Sequence, residues 1–484
     1  MIKRIFFFTL IIITIFSCKK EENENTNAKL DFSNDTIMFD TIFTSIGSVT
    51  KTLTVYNNNN FDILTNINLQ EGSPNANFRI NIDGTPGSEQ SNIKIPANDS
   101  IFIFLEVTIN PNSTTTPYIL TDSLIFTTGA RKQDVDLVAW GQNAYFHTPN
   151  EFGQIINGED TILFPYHKID CSVDWTDDKP HVIYGYAIID PGNTLNINAG
   201  CDIHLHKNSG IIVGNPFSEI PGGSIKINGI LGNEVTFQGD RLDAWYQDIP
   251  GQWDRIWLTP GSIDNEINYA IIRNGNIGIH ADTVSNNNPT VIINNTIIEN
   301  MSSIGILGQG ASINANNTLI NNCGQYTLAC NIGGNYNFTH CTFANHWNYS
   351  GRSTPSILLN NYYEDANGNI QLRNLENANF NNCIIDGSLS TEISFQEEES
   401  ATFNYHFNHC IIKLDPQINT NNSYYTNSII NQPPQFIEYS NNNYHLEEES
   451  PAIDSGDPNN SVTLDLEGKN RDNYPDIGVF EFQN

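Results

Sequence analysis

The chain has 484 residues, with 22 Lys and Arg against 54 Asp and Glu, a formal net charge of −32. At 38% hydrophobic, 11% aromatic and only 16% charged residues, it holds enough apolar material for sizeable cores and too much for a disordered chain. The anionic balance excludes a nucleic-acid backbone as partner, which needs clustered Lys and Arg, and electrostatic docking on an anionic membrane face.

Lys3 and Arg4 are followed by Ile5 to Phe16, an uninterrupted run of apolar residues and Thr. As a helix this run rises about 18 Å, short of the ~20 residues that span a bilayer, so residues 1–17 read as a cleaved export signal. It ends in Ile15-Phe16-Ser17-Cys18, which resembles a bacterial lipobox. That resemblance implies that Cys18 is diacylated and anchors the chain to the outer membrane. Lys19-Lys20-Glu21-Glu22-Asn23 is similar to the signal that sends Bacteroidota lipoproteins to the cell exterior. Residues 18–30, rich in Asn and Glu, are expected to be a solvated tether.

Over residues 31–145 the hydrophobic period is two. Ile101, Ile103, Leu105, Val107 and Ile109 share one face of a strand, and Asn57 to Asn60 and Pro96-Ala97-Asn98-Asp99 punctuate the runs. About six or seven such strands predict an antiparallel β-sandwich. Phe39-Asp40-Thr41-Ile42, Phe78-Arg79-Ile80, Ile95 to Ser100 and Val138-Ala139-Trp140-Gly141 resemble the Ig-like modules of the abnormal-spindle/Hydin type, which implies a spacer or interaction domain.

Residues 146–445 repeat. A small residue followed by two bulky apolar ones recurs at Ala270, Thr296, Thr318, Cys341, Cys383, Cys410 and Ser428, with Cys341-Thr342-Phe343 as the one departure. The steps are 26, 22, 23, 42, 27 and 18 residues. Steps near 22 match one turn of a parallel β-helix, and 42 is either two turns or one turn with an insertion. The pattern resembles the right-handed parallel β-helix, pectate-lyase-like superfamily, whose stacked coils bury a core that none could bury alone. The fold expected is all-β, an N-terminal Ig-like antiparallel β-sandwich followed by a right-handed parallel β-helix solenoid. Before the small residue stand Tyr269, Asn295, Asn317, His340, Asn382, His409 and Asn427. These read as a structural ladder, with Asn side chains bonded to the backbone of the next coil. His340 and His409 then belong to the ladder and are not ligands. Small size accounts for Cys341, Cys383 and Cys410.

Few residues offer chemistry. His204 and His206 lie two apart on one strand, a spacing that can ligate metal, but no third ligand follows. Trp245, Tyr246, Trp253 and Trp257 are glycan-contact candidates, or packing over the flank. Cys171 with Cys201, and Cys323 with Cys330, are the disulfide pairs an exported chain would allow. Residues 446–484, including Ser450-Pro451-Ala452-Ile453-Asp454-Ser455-Gly456-Asp457 and Pro475 to Glu481, resemble the closing segment of choice-of-anchor surface β-helix proteins. Their Asp and Arg residues are expected to cap the open end of the solenoid. No cofactor is required, although so many carboxylates leave calcium open.

The superfamily includes polysaccharide lyases, glycoside hydrolases and epimerases, and catalysis there needs clustered acids. Three residues past the small column stand Arg273, Glu299, Asn321, Ala344, Asp386, Lys413 and Asn431, whose alternating charges read as a solvated face. The best place for a pocket is then the stretch around Glu364 and Asp365, with Arg352 and Arg373. The expected function is a lipid-anchored surface protein using its β-helix as a non-catalytic binding or adhesion scaffold for a polysaccharide or surface protein. The alternative is a lyase or glycoside hydrolase. Asp35-Thr36-Ile37, Asp40-Thr41-Ile42, Asp99-Ser100-Ile101, Asp122-Ser123-Leu124, Asp160-Thr161-Ile162 and Asp282-Thr283-Val284 also resemble Bacteroidota O-glycosylation acceptors.

Overall fold

The computed structural model describes residues 28–71, 77–111, 117–157, 160–282 and 289–483. The export signal, Cys18, residues 19–27 of the tether, and Thr283 and Val284 lie outside the described residues. The chain divides into two compact units, Met1–Asn143 and Ala144–Asn484.

The first unit holds two five-stranded sheets. Lys51–Asn57 and Asp99–Val107 lie in one sheet, Arg131–Gln142 and Tyr118–Thr128 in the other, and both sheets feed one core. Period-two patterning sets that core: Ile103, Leu105 and Val107 are fully buried, while Phe102 and Phe104 between them are exposed. One pairing departs from the antiparallel expectation. Thr36–Phe43 runs parallel to Arg131–Gln142, with Ile37 beside Leu137. Far apart in sequence, these strands are not bound to hairpin geometry.

The second unit is dominated by two long sheets, of 18 and 10 strands. Among the described residues, pairings in the larger are parallel, and the smaller departs at the antiparallel pair Glu151–Asn157 and Asp160–Lys168. Successive repeats sit in register. Ile271, Ile297, Leu319, Thr342, Ile384, Ile411 and Ile429 form one continuous row of partners. The 42-residue step is therefore a single step, because Thr342 pairs directly with Ile384. Its extra length goes into residues 346–356 and the hairpin of Tyr362–Glu364 with Ile370–Leu372. Inside, Phe338, Phe380, Phe407 and Tyr425 stack with ring centroids 5.1, 4.8 and 5.6 Å apart.

The ladder positions share a conformation that spacing alone did not reveal. Tyr269, Asn295, Asn317, His340, Asn382, His409 and Asn427 all have φ between +45° and +53°. This left-handed region is costly for most residues and is best tolerated by Gly and Asn, which explains the run of Asn. Their side chains bond mainly to each other and to the C-terminal segment, not to the next coil's backbone. Asn317 Nδ2 donates to Asn295 Oδ1 at 3.0 Å and to the Leu464 carbonyl at 2.7 Å. Asn382 Nδ2 lies 3.0 Å from His340 Nε2, and Asn427 Nδ2 lies 3.2 Å from His409 Nε2.

The C-terminal segment lies elsewhere than expected. Instead of capping an open end with its charges, it lays Phe436, Tyr444, Leu446, Ala452, Ile477 and Val479 along the flank, over Leu319, Ala344, Ile384 and Ile411. The cause is strand geometry. Two bulky apolar residues in succession point to opposite faces, so each repeat buries one inward and leaves one outward, and a parallel sheet needs both faces covered. Asp465, Arg471, Asp476 and Glu481 are buried in the process: Arg471 bonds Glu481 at 3.1 Å, Asn317 Oδ1 at 3.3 Å and the Gly478 carbonyl at 2.9 Å.

Candidate functional site

The four aromatic candidates do not form one face. Trp253 is fully buried, its Nε1 donating to the Arg273 carbonyl at 2.9 Å, so it cannot stack on a ligand. Trp257 belongs to the ten-stranded sheet and stacks on His280 with centroids 5.7 Å apart. Tyr246 lies under the Arg241 guanidinium at 3.8 Å, and only Trp245 is broadly exposed, at 78%. Gln252 Nε2 ties this loop together by donating to the carbonyls of Tyr246 and Ile249 at 2.6 and 2.7 Å.

The end of the same loop walls a polar cavity of about 350 Å³, lined by Asp248, Asn274, Glu299, Asn300, Asn322, Asn348, Tyr349 and residues 440–442. A second left-handed corner supplies its floor, since Asn274, Asn300 and Asn322 have φ of +66°, +58° and +49°. Asn300 Nδ2 donates to Asn274 Oδ1 and to the Asp248 carbonyl, both at 2.6 Å. The Tyr349 hydroxyl also donates to that carbonyl. Asn442 Nδ2 reaches Glu299 Oε2 at 3.2 Å. Burial holds the Glu299 carboxyl above the usual carboxylate range, against the pull of Arg273 and Asn321. The column expected on a solvated face is thus largely covered: Asn321 and Ala344 are fully buried, and Ala344 lies beneath the C-terminal segment.

The remaining candidates serve structure. His204 is buried against Asp202, with Nε2 3.0 Å from Oδ2, while His206 Nδ1 meets Asp240 Oδ2 at 2.7 Å. Cys171, Cys201, Cys323 and Cys330 are free thiols. Cys201, Cys323 and Cys330 fill small core positions, where burial pushes the Cys201 and Cys323 thiols up to about 12. Glu364 and Asp365 stand in the inserted hairpin, and Asp365 Oδ1 accepts from the amides of Asn367 and Asn369 at 2.9 and 3.0 Å. Arg352 is buried in a two-point bond to Glu392, at 2.6 and 2.8 Å. Among the C-terminal carboxylates, Asp465 and Asp476 are saturated by backbone amides, and no group of three or more metal-binding side chains is gathered among the described residues.

Two arrangements escaped the sequence. His147 Nδ1 lies 3.3 Å from His167 Nε2, and its Nε2 lies 3.0 Å from His181 Nδ1, with Trp175 stacked on His147 and His181. Burial pulls His147 down to about 3 and His181 to about 4. Spacings of 20 and 34 residues carry no local signal for such a contact. The second arrangement is a set of outward amide columns on the larger sheet. Asn294 Nδ2 donates to Asn268 Oδ1 at 2.9 Å and Asn316 to Asn294 at 3.0 Å, while Asn337 donates to Asn314 at 3.1 Å and Asn379 to Asn337 at 3.0 Å. Alternation of Asn with apolar residues in Ile313 to Asn316 and in Asn335 to Phe338 was the available signal.

No family model matches this sequence, and no curated protein matches it. Among solved structures it is similar to a family 123 glycoside hydrolase from Clostridium perfringens, at 10% identity over 25% of this chain and 31% of that one, with a TM-score of 0.18. The chain thus spans about a third of that protein's length. It is also similar to the ASH/PapD-like domain 7 of human CEP192, at 13% identity over 24% of this chain and 85% of that one, with a TM-score of 0.17. A protein of unknown function from Porphyromonas gingivalis W83 shows 13% identity over 26% and 55%, with a TM-score of 0.18. At these TM-scores the likenesses carry no argument about function.

Proposed function

We propose that this is a lipid-anchored protein of the outer cell surface, in which an Ig-like sandwich carries a right-handed parallel β-helix that serves as a non-catalytic binding scaffold for a glycan or surface partner. The observation that carries the reading is the engagement of ionic groups in the second unit. Arg352 is bound to Glu392 and Arg471 to Glu481, and the Asp465 and Asp476 carboxylates are tied to backbone amides, all in structural contacts. The larger sheet presents rows of half-buried amides, the chemistry of recognition more than of turnover. The anchor rests on the sequence at Cys18, and Cys18→Ala should release the protein from membranes and abolish palmitate labelling. Replacing Lys20, Glu21 and Glu22 by Ala should keep the lipid but lower protease accessibility on intact cells.

One observation favours the second reading, a carbohydrate-active enzyme. Glu299 and Asp248 line the same cavity, and burial keeps Glu299 protonated to higher pH, as a general acid requires. The full chain in detergent, incubated with acidic and neutral polysaccharides with and without calcium, separates the two. New double-bond absorbance or reducing ends that vanish in Glu299→Gln would replace the scaffold reading. No product, with retention on a polymer, would uphold it.

A further inference from the structure

We infer that the outward amide columns of the larger sheet form a binding face for an extended, uncharged, β-linked polysaccharide, separate from the cavity beside the aromatic loop. On the strands Val291–Glu299, Ser312–Asn321, Gly334–Thr339 and Leu375–Asn381, the columns run through Asn294, Asn316, Asn314, Asn337 and Asn379 in direct register. Asn294 and Asn337 each donate and accept within the columns, Asn337 reaching Asn335 Oδ1 as well at 3.5 Å, while Asn316 and Asn379 donate and Asn314 accepts, so donor and acceptor capacity remains along the columns for a ligand. These side chains are half-buried along the sheet, which fixes them, and parallel strands repeat them about every 4.8 Å.

Charge selects the occupant. In a chain of net charge −32, the outward positions paired across these four strands ahead of the left-handed corner carry no charged group; Glu299 lies past the corner, and Glu266 and Glu376 stand at the borders. A cationic partner would find nothing to neutralise, and an anionic polymer would meet the field of the whole molecule. A protein partner would call for aromatic or apolar anchors, which the amide columns lack. A sugar hydroxyl both donates and accepts, as each free amide does. A β-linked pyranose chain advances per residue by a step close to the strand spacing, so successive sugars can meet successive amides. The neighbouring apolar row is covered by the C-terminal segment, which among the described residues reaches the amide face at Asn408, where Asp457 accepts from it at 3.0 Å.

The test is depletion of the detergent-solubilised full chain by insoluble cellulose, β-1,3-glucan and β-mannan, with polygalacturonate gel as the anionic comparison. We expect retention on at least one neutral polymer that is unchanged at high salt, and a loss of about tenfold or more in Asn316→Asp with Asn337→Asp. Asn294→Ser with Asn337→Ser, which adds no charge, should lose retention while remaining folded, as its melting transition reports. Glu299→Gln should bind as the parent does, which keeps failure of this face distinct from failure of the cavity. Retention only on polygalacturonate, no retention on any neutral polymer, retention by both double variants equal to the parent's, or binding to ice in place of sugar would each overturn the assignment.

Discussion

Asn382 is the most heavily engaged of the corner residues. It is fully buried at φ +53°, its Nδ2 lies 3.0 Å from His340 Nε2, and it donates to the carbonyls of Asp457 and Asn460 at 3.1 Å each. Its Oδ1 accepts from the Asp457 amide at 2.7 Å. Asn382→Ala breaks two things at once. A Cβ residue without a side-chain bond costs about 1 kcal/mol in the left-handed region. Three bonds to half-buried backbone groups and one to a buried imidazole add about 1 kcal/mol each, less what water recovers, for a total of about 4 kcal/mol. Asn382→Gly loses the same bonds but relieves the backbone, so it should be about 1 kcal/mol less destabilising than alanine, the reverse of their order within a helix or strand. Hydrogen exchange of residues 454–461 is the primary readout, alongside urea midpoints, because a long repeat array need not unfold in one step. If alanine proves as stable as glycine, the conformational argument is wrong. If both lie within about 1 kcal/mol of the parent, Asn382 is not the hub that joins the flank to its covering segment.

Two further outcomes follow from the same geometry. Ile384→Glu places a charge beneath the C-terminal segment and should loosen it by about 3 kcal/mol, seen as selective proteolysis of residues 434–482, and an equally resistant segment would refute the flank packing. His181 is held neutral, its value depressed to about 4 against an unfolded ~6.5, so its stabilisation is complete above pH ~6.5 and is lost as pH falls toward 4. Between pH 7 and 5 that is about 2 kcal/mol, which His181→Gln should abolish. Asp476 works in the opposite sense, raised to about 6 and therefore stabilising below its unfolded value and lost as pH rises, but it is common to both proteins. An identical pH dependence in parent and variant would sink the histidine argument.

The repeat was legible because a small residue followed by two apolar ones reports strand register directly, and the rows from Ile271 to Ile429 pair as that column implies. The position of the closing segment was hidden, although its cause stood in the same motif. An Ile-Ile pair in a strand must face both ways, and the outward Ile calls for a cover that only the chain's own end supplies. Composition placed four aromatics near one another between residues 245 and 257, but a strand start at Trp253 turned one ring inward and sent Trp257 to the outer face. The histidine cluster could not be read at all, because its members meet through strand pairings of the folded unit, His147 beside Ile183 and His181 beside Ile203.

The cavity and the closing segment are physically one problem. Residues 440–442 form one wall of the cavity, and Asn442 links Asn322, through a 2.5 Å bond to its own Oδ1, with Glu299. The segment that supplies this wall is the same one that covers Leu319, Ile384 and Ile411. A molecule held by Asn442 therefore binds only the docked form of the segment, and it stabilises that form by RT ln(1 + [L]/Kd), about 2.7 kcal/mol at a hundredfold excess over Kd. The dependence is reciprocal: Ile384→Glu, which lies outside the cavity lining, must weaken any ligand of the cavity by whatever population of undocked segment it creates. Among the described residues the segment borders the amide face at Asn408, outside the Asn294 and Asn337 columns, so one substitution under the flank separates the two surfaces in a single comparison.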